Sequence, residues 1–262
     1  MQPIDQLLHK HDLHQHKLSI IASFEKAIKM TKTKSNEKAI PLGSSKMGGF
    51  PDLPEGWEYP SYEQGPLIFM LQINLVDVKP FDQAGLLPEN GILYLFYDAM
   101  EQPWGFEEDE GCFKVMYFDG DMSKLNRREY FRSSDFTSFP SFTLSFEAMV
   151  TISEDPANLE SLNEEEWEDF WNFRQELMQP EFGNGKLEAA HYLLGEPMNI
   201  QNDVFEELFE NGKDPVLLFQ IDSDEEDLGV LWGDCGMLYF CIEKEDLLRK
   251  QFDRVKFTLQ CF

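Results

Sequence analysis

The sequence predicts a mainly β fold with several helices, α+β in character, assembled from internally duplicated antiparallel sheets. Two kinds of pattern predict it. An apolar run closed by Gln and Ile occurs twice, as Pro66-Leu67-Ile68-Phe69-Met70-Leu71-Gln72-Ile73 and as Pro215-Val216-Leu217-Leu218-Phe219-Gln220-Ile221. Downstream, Gly91-Ile92-Leu93-Tyr94-Leu95-Phe96 matches Gly236-Met237-Leu238-Tyr239-Phe240-Cys241, and upstream Gly49-Phe50-Pro51 matches Gly195-Glu196-Pro197. The landmarks keep their order and a spacing of about 146 residues, which marks a tandem duplication. The second pattern is alternation. In Phe142-Thr143-Leu144-Ser145-Phe146 and Val255-Lys256-Phe257-Thr258-Leu259 apolar and polar side chains alternate, giving strands with one buried and one wet face, as antiparallel sheets have.

From the N-terminus, Leu7, Leu18, Ile21, Phe24 and Ile28 fall near helical spacing and predict an amphipathic helix through the first thirty residues. The polar stretch Thr31 to Lys38 then reads as a hinge, so residues 1–40 form an N-terminal segment. A first β repeat, 41–150, opens with Ser45-Lys46-Met47-Gly48-Gly49-Phe50-Pro51-Asp52-Leu53-Pro54, where two Gly and two Pro exclude regular structure. Strands are expected at 67–73, 92–97 and 113–118. A loop with Pro80, Gly85 and Pro88 separates the first two, and the acidic turn Gly105 to Gly111 precedes the third.

A bridging helical segment, 151–185, follows. Ser161 with Glu164 fits a capping box, and Trp167, Phe170, Trp171, Arg174, Leu177 and Met178 hold helical spacing until Pro180. Its aromatic stripe is expected to face inward, because Glu165, Glu168, Asp169 and Glu176 supply the solvated side. The second β repeat, 186–262, carries short helices from Asp203 to Asn211, stopped by Gly212, and from Glu245 to Lys250. The whole is expected to form one compact unit.

Of the residues, 42 % are hydrophobic and 14 % aromatic, ample for a buried core. Apolar runs such as Leu67 to Leu71 are far short of the roughly 18 residues of a membrane helix. The first residues, Met1-Gln2-Pro3-Ile4-Asp5, lack the apolar stretch of a secretory signal, so a cytoplasmic location is expected. Cys112, Cys235, Cys241 and Cys261 show no Cys-x-x-Cys pair and read as reduced thiols. The formal charge of −27 divides unevenly: residues 1–46 hold eight Lys against four acids, leaving −31 on residues 47–262. Such a field repels nucleic acid and anionic lipid and steers a basic protein inward, so the expected partner is a basic protein, with no nucleic acid and no membrane.

Ser45-Lys46-Met47-Gly48-Gly49-Phe50-Pro51-Asp52-Leu53-Pro54-Glu55-Gly56, Leu71-Gln72-Ile73-Asn74 and Gly91-Ile92-Leu93-Tyr94-Leu95-Phe96 resemble blocks of the YwqG-like family of uncharacterised bacterial proteins. Leu218 to Asp224, Trp232 to Phe240 and Phe257-Thr258-Leu259-Gln260-Cys261 are similar to that family's later blocks. The resemblance implies a roll-like, internally duplicated, mainly β fold. It implies no established activity, substrate or catalytic residue. Members are often encoded near toxin and immunity genes, which implies binding proteins with an immunity-like role.

No phosphate loop, nucleophile elbow or zinc-protease motif is present, so no catalytic residue, cofactor or metal is expected. Lys46 precedes its Gly pair instead of following a Gly-rich loop. His9, His11, His14 and His16 crowd one stretch without a third ligand at zinc spacing. Ile221 to Asp227 is the densest acidic cluster, lacks the Gly and Glu of a calcium loop, and reads as a solvated loop. Lys46, His191, Asp222 and Asp234 are candidates to meet in a cleft between the repeats, which would suit an enzyme or small-ligand binder. Trp104 and Phe106, followed by Glu107, Glu108, Asp109 and Glu110, are candidates for a partner-binding loop. Gln72 and Gln220, amides in apolar runs, are expected to pin the Gly-Pro segments through backbone hydrogen bonds.

Overall fold

A computed structural model describes residues 4–63, 65–130, 138–181, 185–210 and 212–262. Met1 to Pro3, and Asn211 at the expected end of a helix, lie outside the described residues. Among those described, ten strands form one antiparallel sheet. They are β1 (Phe24–Lys34), β2 (Lys46–Met47), β3 (Ile68–Asn74), β4 (Ile92–Tyr97), β5 (Phe113–Phe118), β6 (Phe142–Ile152), β7 (Tyr192–Leu193), β8 (Pro215–Asp222), β9 (Met237–Glu243) and β10 (Lys256–Gln260). Their order across the sheet is β10-β9-β8-β7-β1-β6-β2-β3-β4-β5.

That order reads the same from both ends once β1–β5 are matched to β6–β10. The duplication therefore appears in the register itself. Lys46 faces Gln72 across β2 and β3, and Tyr192 faces Gln220 across β7 and β8. The β3–β4 and β8–β9 ladders carry an irregularity at the same place, between Phe69 and Leu71 and between Leu217 and Phe219. The repeats also exchange their first strands. β1 pairs with β7 of the second repeat through Ile28 and Leu193, while β6 pairs with β2 of the first through Phe142 and Met47. A full-length β1–β6 ladder, Phe24 opposite Ile152 to Lys34 opposite Phe142, joins the halves.

The first helix of the chain ends far earlier than its sequence spacing suggests. Helices α1 (Ile4–Lys10) and α2 (Lys17–Ala22) are short, and the stretch from Phe24 is strand, not helix or hinge. The alternation Ile28-Lys29-Met30-Thr31-Lys32-Thr33 suits a strand, and pairing on both sides outweighs the helical spacing of the apolar residues. After β3 comes α3 (Leu75–Val78). Helix α4 (Glu164–Met178) is capped two residues beyond the expected Ser161, with Asn163 accepting N–H groups of Glu165 and Glu166 while Glu166 accepts that of Asn163. Leu159 and Leu162 are buried, which keeps the chain outside the helix until Asn163. Helices α5 (Val204–Leu208) and α6 (Lys244–Leu248) match the two short expected ones.

Leu93, Leu95 and Tyr97 of β4 share one interior with Leu238, Phe240 and Ile242 of β9. On the opposite face, Ile92, Tyr94 and Phe96 pack on Leu53 and Leu125, whereas Met237, Tyr239 and Cys241 lie among Leu7, Leu8, Phe170 and Phe173. Burial on both faces explains why these antiparallel strands read as continuous apolar runs, each large side chain contributing about 2 kcal/mol. The sheet curls into a roll. Phe113 of β5 comes within 5.4 Å of Phe257 of β10 between ring centroids, and Leu259 donates to the Trp104 carbonyl at 3.1 Å.

Candidate functional site

The two Gly-Pro landmarks are built alike from the backbone upward. Asp52 N–H donates to Gln72 Oε1, and Met198 N–H donates to Gln220 Oε1. Each Gln returns its amide to a carbonyl ahead of the landmark, Ser44 and Ala190, and Tyr94 and Tyr239 donate to the carbonyls of Asp52 and Met198. A Cβ on Gly49 would stand 1.9 Å from Glu37 Oε2, and one on Gly195 2.4 Å from Thr151 Oγ1, so glycine is required at both turns. The amides therefore do the expected pinning.

Lys46 is fully buried and belongs to this scaffold rather than to a cleft. Its ammonium donates to the Phe50 carbonyl and pairs with Glu37 at 3.0 Å and Asp52 at 3.4 Å. Burial lowers its pKa despite those two carboxylates. Arg127 completes the cluster, its Nε 2.8 Å from Asp52 Oδ1. In the second repeat Tyr192 takes the place of Lys46 and donates to the Glu196 carbonyl.

His191 and Asp222 meet in a groove of about 600 Å³ with Lys32, Gln179 and Asp224. Asp222 N–H donates to His191 Nδ1 at 3.1 Å, which leaves the proton of a neutral ring on Nε2. That nitrogen faces Asp224 Oδ2 at 3.5 Å, too far for a good hydrogen bond, and both atoms are sealed from solvent. Burial pushes the Asp224 carboxyl up, but His191 and Lys32, the latter 2.9 Å away, outweigh it and hold the group at about 2. Burial raises the pKa of Asp222, which accepts from Gln179 Nε2 and Ala190 N–H at 2.8 Å. The expected solvated loop at 221–227 is thus partly interior. Its first two carboxylates replace water with backbone and Lys32 partners. Of the four cleft candidates, Lys46 and Asp234 stand apart from the groove. Lys32 and Gln179 were not legible as its members, because a strand in the N-terminal segment and a helix end deliver them.

Asp234 is exposed beside Gly233, whose N–H donates to Gln102 at the base of the Trp104 loop. This loop is fixed at many points. Tyr97 donates to the Pro103 carbonyl, Gln102 Nε2 to that of Leu231, and Asp109 accepts the N–H groups of Gly105 and Phe106. Gly105 lies so close to Phe257 that a Cβ would approach its carbonyl to 2.4 Å. On this framework Trp104 is 37 % and Phe106 61 % exposed, and Glu107, Glu108 and Glu110 are exposed beside them.

The family described as a domain of unknown function, DUF1963, matches residues 45–261. The chain belongs to this family. YwqG-like proteins are part of it, so the resemblance seen in the Gly-Pro, Gln-Ile and Gly-aromatic blocks holds at the level of the DUF1963 family. No curated protein matches the chain. Among the described residues no group of His, Cys, Asp and Glu is arranged to hold a metal ion, and no helix is long and apolar enough to cross a membrane. His11 and His16 instead bond Glu176 and Glu166 of α4 at 2.9 and 3.0 Å. Cys112, Cys241 and Cys261 are buried free thiols and Cys235 is an exposed one.

Proposed function

We propose that this DUF1963 protein is a non-catalytic protein-binding module that recognises a basic partner through the Trp104 loop, with an immunity-like role as the narrower form of that reading. The observation that carries it is the pairing of exposed Trp104 and Phe106 with exposed Glu107, Glu108 and Glu110 on a loop already fixed by hydrogen bonds. Aromatic side chains dominate binding hot spots, and a loop ordered in advance loses little entropy on binding. The charge of −31 on residues 47–262 adds long-range steering of a cationic protein.

The test is capture of partners by the full chain, followed by kinetics with the captured protein. Trp104→Ala should weaken binding by about tenfold or more. The melting temperature should hold, because the loop is fixed by Asp109, Gln102 and backbone groups that the substitution spares. Association should slow as ionic strength rises. An on-rate indifferent to salt, or a variant that unfolds early, would refute the acidic binding face.

The His191 groove favours a second reading, a small polar ligand held near Asp224. A set of neutral and charged metabolite-sized compounds that raise the melting temperature of the native chain, and fail with Asp224→Asn, would favour that reading over protein binding.

A further inference from the structure

Trp171 was expected inside and is 55 % exposed. The buried stripe of α4 runs through Phe170, Phe173, Arg174 and Leu177, and Trp171 stands about 100° round the helix from Phe170. Arg174 takes the inward place instead, donating to the carbonyls of Ile152 and Pro197 at 2.9 Å. Glu164, Trp167 and Trp171, spaced three and four residues apart, therefore share a flank of the helix.

Across from that flank runs the turn after β6. Glu154, Asp155, Glu164, Trp167 and Trp171 together line an open pocket of about 690 Å³. Every one of these five side chains is an indole or a carboxylate. The two rings lie 6.1 Å apart between centroids and 34° from parallel, forming a wedge. Trp167 is braced edge-on by Phe170 at 5.4 Å, so the wedge has a fixed wall and an exposed one. Arg174 touches Glu154 at 3.3 Å from behind, and Glu154 is the pocket's one carboxylate with a cationic partner among the ion pairs of the described residues.

We propose that this wedge binds a quaternary organic ammonium group, of the kind carried on a trimethylated lysine side chain. Trp presents the most favourable aromatic face to a cation, and a weakly hydrated alkylammonium gains most from it. Carboxylates at the rim supply the matching charge. A carboxylate or phosphate ligand would be repelled by Glu154, Asp155 and Glu164, while a neutral apolar group would forgo both attractions. The site is separate from the Trp104 loop, and its test is independent of whether that loop binds a partner.

Tetramethylammonium and the side-chain analogue of trimethyllysine serve as probes, with neopentyl alcohol as the neutral match. Indole N–H resonances of the full-length protein should shift saturably with the cations and stay unmoved by the alcohol. Trp171→Leu should reduce the affinity about tenfold while the melting temperature holds, since the ring is largely outside the core. Asp155→Asn with Glu164→Gln should reduce it several-fold and weaken its salt dependence. Equal response to the neutral match, no saturable shift with either cation, or full affinity in Trp171→Leu would each overturn the proposal. Loss of the Trp104-dependent partner leaves these results unaffected, so the two proposals fail separately.

Discussion

The two repeats solve one backbone problem with different chemistry. Where the first repeat turns at Gly49, a charged cluster of Lys46, Asp52, Glu37 and Arg127 fills the space. The second repeat turns at Gly195 with Tyr192 and Met198 in the places of Lys46 and Asp52, both held by Gln220. In both, a side chain on the short second strand donates to a carbonyl four residues on, that of Phe50 or Glu196. The fold thus demands a donor there, and a charge is optional. A buried ion cluster adds little net stability over a neutral packing, yet losing one member leaves its partners uncompensated.

The largest expected effect breaks the charged version. Asp52 is fully buried and receives Lys46, Arg127, Gln72 and the Gly43 N–H. Asp52→Ala should cost about 3–5 kcal/mol in urea unfolding, because the buried Lys46 and half-buried Arg127 are then left to share Glu37. Importing the neutral version, Lys46→Tyr with Asp52→Met, should cost measurably less than Asp52→Ala alone. If the double variant is the worse, the two turns are not interchangeable.

A smaller effect separates the turns by pH. Glu196 stands where the first repeat has Phe50, and burial, with Glu25 and Asp203 nearby, pushes its carboxyl up to about 7. Its folded pKa lies above the unfolded value, so the native state holds the extra proton between them. The stability this group favours is complete below about 4.5 and declines as pH rises toward 7, by up to about 3 kcal/mol. Glu196→Gln should therefore stabilise the chain at pH near 8 relative to the parent and leave it nearly unchanged near pH 4. Urea melts of both proteins across that range check it, and a constant difference would assign the ionisation elsewhere.

The smallest expected effect probes the neutral donor. The Tyr192 hydroxyl is 2.7 Å from the Glu196 carbonyl and 2.9 Å from Gln220 Oε1. Tyr192→Phe should cost about 1 kcal/mol, since Gln220 Oε1 keeps the Met198 N–H and only one carbonyl loses its partner. A cost approaching that of Asp52→Ala would mean the neutral turn is as dependent on its polar contact as the charged one.

Local patterns in the chain were sufficient for the strands β3, β4, β5, β8, β9 and β10, for α4, and for the equivalence of Gln72 with Gln220. Apolar runs, alternation and glycine turns act within a few residues, and the covalent order preserves them. They also placed Trp104 and Phe106 beside exposed acids, because a Gly-bounded acidic turn has nowhere to go but the surface.

Partner choice between distant strands was decided only by the tertiary structure. The Phe24–Lys34 segment became a strand because β6 and β7 offer it hydrogen bonds on both sides, and that same exchange carried Lys32 to Asp224. Tertiary packing also parted Trp171 from Arg174, which helical spacing had put in one stripe. The carbonyls of Ile152 and Pro197 needed donors that an indole could not supply to both, so the guanidinium went in and the ring came out. Helical spacing states which residues share a face, but the neighbours of that face determine which end of the stripe is buried.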